Sequence, residues 1–271
     1  MLFGLIGAKL GHSYSKIIHE KLKAYSYELI PLTLEELDVF LKERKFDGLN
    51  VTIPYKETVI PYCDYVSPLA KEIGAVNTLY FDEEKRLCGT NTDYTGFLQA
   101  SAVANIEFQG KKVLILGDGG TCKTILKAVI DSGAIDVLIG SRKVLEDKIE
   151  YILAKGREIT CTTTRYENLS AHKDIEIAIN TTPIGMFPNV DGSLIDLQDF
   201  PKCSGVFDVV YNPYYTVLLS QAKELGIPHA NGLSMLVAQA TEAARYFTGQ
   251  DGWSAMNEQI IEELKETLHL A

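Results

Sequence analysis

The sequence predicts an α/β protein whose two halves differ in rhythm, the second a doubly wound parallel sheet. Three observations predict it. The chain has 271 residues, 46% of them hydrophobic and 23% charged, enough for one large or two medium cores in an ordinary globular protein. Short strand-like and helical pieces alternate over the first hundred residues, and from Lys111 a regular strand–helix–strand series begins. After Asn231-Gly232 the pattern turns helical again.

Each element follows from its pattern. MLFGLIG reads as a strand, and Ser15–Lys23 as a helix with Ile17, Ile18 and Leu22 on one side. YELIPLT is a strand, and LEELDVFLKERK a helix with apolar residues at helical spacing. LNVTIP is a strand in which Val51 and Ile53 alternate with Asn50 and Thr52. VNTLYF and RLCGTN read as a hairpin about the polar DEEK turn, and TDYTGFLQASAV opens a helix with Asp93 near its start. KKVLILG, DVLIGS, ITCTTT, IEIAINTT and GVFDVVY are strands of the second half. TCKTILKAVIDSGA and SQAKELG are its helices, the first ending at Gly133. The near-continuous apolar runs VLIL and IAI fit strands buried on both faces, as in a doubly wound parallel sheet. LSMLVAQATEAARYF and the amphipathic MNEQIIEELKETLHL are the closing helices.

Charge and cysteines narrow the function. A formal charge of −10 argues against a nucleic-acid partner, and an anionic ligand must be held by local groups against the field of the whole. Cys63, Cys88, Cys122, Cys161 and Cys203 form no CxxC pair, so free thiols in a reducing cytoplasm are expected, without a structural metal. The N-terminus lacks a basic leader, and no apolar run approaches the roughly 20 residues that span a bilayer.

KKVLILGDGGTCKT places Gly117, Gly119 and Gly120 between a strand and a helix. Glycines there allow a tight turn and close backbone approach to a pyrophosphate facing the helix N-terminus. Asp118 is out of place beside a pyrophosphate unless it points away. Where an NAD site carries an acidic residue at the end of the second strand, this chain reads Ser141-Arg142-Lys143. A hydroxyl and two cations suit a 2′-phosphate, so NADP is expected over NAD. In NVTIPYKE, Pro54 is expected to open a helix with Lys56 in its first turn. A free lysine titrates at about 10.4, too high for a general acid near neutrality, and a helix N-terminus with partial burial would lower it.

Further polar clusters lie at strand ends: Ser13 and Ser15 in GHSYSKIIHE, Asn77 in GAVNT, Asn91 and Asp93 in GTNTDYTGF. With GHSYS, NVTIPYK, GAVNT, NTDYTGF, INTTPIGM and NGLSMLVAQA in this order, the chain resembles the shikimate dehydrogenase family over nearly its whole length. The resemblance implies reversible NADPH-dependent reduction of 3-dehydroshikimate, with Lys56 and Asp93 as the catalytic pair. It implies that Ser13 and Ser15 hold the substrate carboxylate, that Thr52, Asn77 and Gln239 contact the ring hydroxyls, and that Tyr211 stands near the substrate. It assigns the cofactor to Gly117, Asp118, Gly119, Gly120, Thr121, Ser141, Arg142 and Lys143, with Val209 and Gly232 backing the nicotinamide. It implies a substrate domain of residues 1–103 and 233–271, a Rossmann-type NADP domain of residues 104–232, and a site in the cleft between them.

Departures stand beside the match. The family has proline where Lys16 stands, asparagine where Glu20 stands, GAGGAxxA where this chain reads GDGGTCKT, and NRT at Ser141–Lys143. Rival readings are a quinate/shikimate dehydrogenase preferring quinate or NAD, and a silent NADP-sensing module that would tolerate loss of Lys56 or Asp93. A folate-type dehydrogenase of similar layout lacks the serine and NTD motifs. His12 and His19 read as structural or surface residues, and a homodimer is left open.

Overall fold

The computed structural model describes residues 1–11, 13–144, 147–154 and 156–267; His12 lies outside them. In chain order the elements are β1 (Phe3–Gly7), α1 (Ser15–Lys21), β2 (Tyr27–Pro31), α2 (Leu34–Glu43), β3 (Gly48–Val51), β4 (Tyr65–Val66), α3 (Pro68–Ile73), β5 (Thr78–Phe81), β6 (Leu87–Thr90) and α4 (Thr92–Val103). Then follow β7 (Lys112–Leu116), α5 (Gly120–Asp131), β8 (Asp136–Ser141), β9 (Lys148–Ala154), β10 (Arg157–Arg165), β11 (Ile177–Asn180), β12 (Gly205–Asp208), α6 (Val217–Glu224), β13 (His229–Asn231), α7 (Gly232–Thr248) and α8 (Asn257–Thr267). The chain forms two compact units. One comprises Met1–Gly96 with Leu236–Glu263, the other Phe97–Met235 with Leu264–Ala271, so each boundary falls inside a helix.

The first unit holds a mixed sheet in the order β2-β1-β3-β5-β6-β4. β1 lies parallel to β2 and β3, whereas β5 and β6 form the antiparallel hairpin expected around DEEK. Ile6, Leu49, Val51, Val76 and Leu79 bury the sheet against Leu37 and Leu41, the apolar stripe of α2. That helix starts at a capping box: the Thr33 hydroxyl accepts the Glu36 N–H, and the Glu36 carboxylate accepts the Thr33 N–H.

The second unit holds a seven-stranded sheet in the order β13-β12-β11-β7-β8-β10-β9. All neighbours are parallel except β9, which pairs antiparallel with β10 at the edge. β7 runs to β8 on one side and to β11 on the other, so the strand order reverses beside it, which is where open α/β sheets bind ligands. The VLIL run of β7 is buried throughout, as expected for a central parallel strand. The crossover from β8 to β10 carries β9 instead of a helix. Lys148 and Glu150 lie exposed on either side of Ile149, and an edge strand with charged side chains resists further pairing.

Candidate active site

The turn after β3 carries Lys56, but no helix begins at Pro54, which corrects the reading from sequence. Tyr55 N–H bonds back to Thr52 O at 3.0 Å and Val59 N–H to Tyr55 O at 3.0 Å, giving consecutive turns that close in a short 3₁₀ segment at Ile60–Tyr62. The proline that suits a helix start suits a turn equally well. Lys56 therefore has no helix N-terminus to lower its basicity. What holds this lysine is a carboxylate: Nζ donates to Asp93 Oδ2 at 2.6 Å, with the two side chains only 18% and 13% exposed. Asp93 stands in the first turn of α4, as expected, and Asn91 accepts the Tyr94 N–H there. A nearly buried ammonium on a carboxylate is held in one place, with desolvation opposed by pairing.

A polar network surrounds this pair. Val76 N–H donates to Lys56 O at 2.8 Å, tying the lysine turn to the GAVNT segment. The Asn77 side-chain oxygen accepts Thr92 N–H at 2.7 Å and the Thr78 hydroxyl at 3.0 Å. Gln239 of α7 meets the same cluster through Thr92 Oγ1 at 3.5 Å. Lys56, Asp93, Asn77 and Gln239 are thus brought together. Sequence reasoning passed over Thr78 and Thr92, although Thr92 lies inside the motif that singled out Asp93. Ser13 and Ser15 form a hydroxyl pair at 3.1 Å at the start of α1 and make no hydrogen bond to this cluster among the described residues. Thr52 packs its methyl on Gly7 beside Leu10, whose carbonyl accepts the Ser13 N–H. The departures Lys16 and Glu20 prove to be partners of each other at 3.1 Å, and Lys16 also donates to Tyr27 O at 2.6 Å, anchoring the serine segment to β2.

In the second unit, Gly117 follows β7 with φ +102°, and a Cβ there would stand 2.8 Å from both Thr181 Oγ1 and Thr182 Cγ2. Only glycine meets both constraints. Gly119 and Gly120 face open space at the N-terminus of α5, beside half-buried Thr121, so the backbone is free for an anion to approach. The Asp118 carboxylate turns to the end of β8: it accepts the Ser141 hydroxyl at 3.0 Å and lies 3.3 Å from Lys143 Nζ, while Arg142 is exposed. A Cβ on Gly232 would lie 1.9 Å from Val209 O, so these backbones touch. Tyr211, half-buried, follows β12 in this unit. Nearby Asp208 is fully buried and accepts from Asn180, Thr216 and Val210 N–H; burial still pushes its carboxyl up to about 6. The glycine loop and the end of β8, where one carboxylate meets a hydroxyl and two cations, fit a dinucleotide.

A family profile described as the shikimate dehydrogenase substrate binding domain matches residues 5–79. A shikimate dehydrogenase (NADP(+)) of Caldanaerobacter subterraneus subsp. tengcongensis is 37% identical over 259 residues, 92% of each chain. The chain belongs to the shikimate dehydrogenase family. Among solved structures, shikimate dehydrogenase 1 of Peptoclostridium difficile superposes with a TM-score of 0.83 at 35% identity, covering 97% of both chains. The enzyme of Thermus thermophilus in complex with NADP(H) and shikimate gives 0.78 at 31%, covering 97% and 99%. A quinate dehydrogenase of Corynebacterium glutamicum in complex with NAD gives 0.82 at 30%, over the same shares. The family profile covers the lysine turn and the GAVNT segment, whereas Asp93 and Gln239 lie beyond it.

Proposed function

We propose that this chain is a shikimate dehydrogenase that reduces 3-dehydroshikimate reversibly with NADPH, a step toward the aromatic amino acids. The observation that carries the reading is the 2.6 Å contact of Lys56 with Asp93 inside the polar network of Asn77, Thr92 and Gln239. Residues 1–103 and 233–271 serve the substrate, and residues 104–232 serve the cofactor. Ser13 and Ser15 receive the carboxylate of the substrate, and Thr52, Asn77, Tyr211 and Gln239 orient its ring. NADPH, when bound, supplies the hydride. The Gly117–Thr121 loop cradles its pyrophosphate, Ser141, Arg142 and Lys143 meet the adenosine ribose, and Val209 and Gly232 back its nicotinamide.

Lys56 gives its proton to the ketone oxygen as hydride reaches the carbonyl carbon and the alcohol forms. Asp93 keeps the ammonium aimed, and the lysine recovers its proton from solvent. The cytoplasm is the compartment that suits the chain: all five cysteines are free. Among the described residues no helix is long and apolar enough to cross a membrane.

Absorbance of reduced nicotinamide, with shikimate or quinate and NADP or NAD in all four pairings, tests the reading. Turnover of shikimate with NADP exceeding that of quinate supports it, and shikimate turnover with NAD alone would contradict the cofactor assigned. Faster quinate turnover would move the chain to the quinate dehydrogenase reading, an activity that the Corynebacterium neighbour carries. Cofactor binding without turnover of either acid would leave only the sensing module.

A further inference from the structure

The Asp118 carboxylate stands where the cofactor loop meets the end of β8, and it occupies two of the three donors there that a 2′-phosphate would use, leaving exposed Arg142 as the third. Oδ2 takes the proton of the Ser141 hydroxyl at 3.0 Å, and Oδ1 lies 3.3 Å from Lys143 Nζ. Ser141 is buried and its oxygen accepts the Lys143 N–H at 3.0 Å, so the hydroxyl has no second proton to offer. The sheet register explains the meeting: Leu116 pairs with Gly140, which sets residue 118 beside residues 141–143.

We propose that Asp118 sets the cofactor preference of this chain, weakening selection for NADP and admitting NAD. The inference rests on the dinucleotide reading of this unit given above. The end of the second strand is where the 2′ position of the adenosine ribose falls in such a fold. A 2′-phosphate is close to a dianion at neutral pH and takes only donors. Asp118 adds a like charge and holds the hydroxyl and the ammonium. A 2′-hydroxyl is neutral and can itself donate to a carboxylate, so NAD loses nothing by meeting Asp118. Lys143 in turn pairs with Asp118 across 3.3 Å, which competes with its use by a 2′-phosphate.

A plain structural role for Asp118, tethering the loop to β8, makes a different prediction. Asp118→Asn keeps an acceptor for Ser141 and removes the charge. Repulsion of a dianion by one carboxylate about 5 Å away in a water-like dielectric corresponds to roughly tenfold in affinity. Calorimetric titration of the full chain with NADP⁺ and with NAD⁺ reads this without any substrate. The proposal expects Asp118→Asn to tighten NADP⁺ about tenfold while NAD⁺ changes less than about twofold. It also expects coupling: Lys143→Ala costs little NADP⁺ affinity in the parent but about tenfold in the Asp118→Asn background. Equal shifts for the two cofactors, or additive effects of the two substitutions, would overturn the proposal and leave the proposed function standing. A parent chain that binds neither cofactor would overturn both.

Discussion

His19 gives a pH dependence that can be worked through. Its imidazole is fully buried, stacked on Tyr27 at 4.0 Å between ring centres, with Nδ1 2.7 Å from the Tyr25 hydroxyl. Nε2 has no hydrogen-bond partner among the described residues. Burial pushes the ring down to about 3, the nearby Asn50 opposing it more weakly. The folded value is depressed below the ordinary 6.5, so the stabilising contribution is complete above pH 6.5. It is lost as pH falls from 6.5 toward 3, because the unfolded chain binds a proton that the folded chain refuses. Between pH 7 and pH 5 the loss is about 2 kcal/mol, which at an m value of about 2 kcal/mol per M lowers the urea midpoint by about 1 M. Trp253, the sole tryptophan, lies in the same unit and reports its unfolding by fluorescence. Asp208, raised to about 6 in the other unit, works in the opposite sense: its contribution is present below its ordinary range and lost as pH rises through about 6. The readout is therefore the difference in pH slope between the parent and His19→Gln. A variant whose midpoint falls with acid as steeply as the parent's would refute the reasoning.

Other substitutions test the packing. Gly232→Ala would set a Cβ 1.9 Å from Val209 O, and backbone must part by more than about 1 Å. The expected cost is about 3 kcal/mol or more, read as a melting temperature lowered by several degrees; an unchanged melt would contradict the close approach. Leu37→Ala removes a fully buried side chain between α2 and the first sheet, with an expected loss of about 2–5 kcal/mol in urea unfolding. Thr33→Ala removes one half of the capping box of α2 and is expected to cost about 1 kcal/mol in the same assay.

Much of the site was legible because its motifs are local. The glycine loop between β7 and α5 and the polar alternation of β3 are read from a few adjacent residues. What escaped the sequence depends on distant register. Gln239 and Thr92 meet across 147 positions, and Asp118 reaches Ser141 only because β7 and β8 pair at Leu116 and Gly140. Asp118 was legible as a misplaced charge, but its partners were not. Lys16 and Glu20 looked like separate departures, and helix α1 makes them neighbours one turn apart. Pro54 favours a helix start and a turn alike, so the local sequence did not decide between them.

In this mechanism Lys56 supplies the proton and Asp93 aims it. Steady-state rates of shikimate oxidation with the better cofactor, for the parent and Lys56→Ala, test it most directly when paired with calorimetric binding of shikimate. The account predicts kcat lowered by roughly 10²–10⁴-fold, with shikimate affinity changed by less than about tenfold. A variant that keeps its kcat and loses only shikimate binding would make Lys56 a ligand-holding residue and contradict the account.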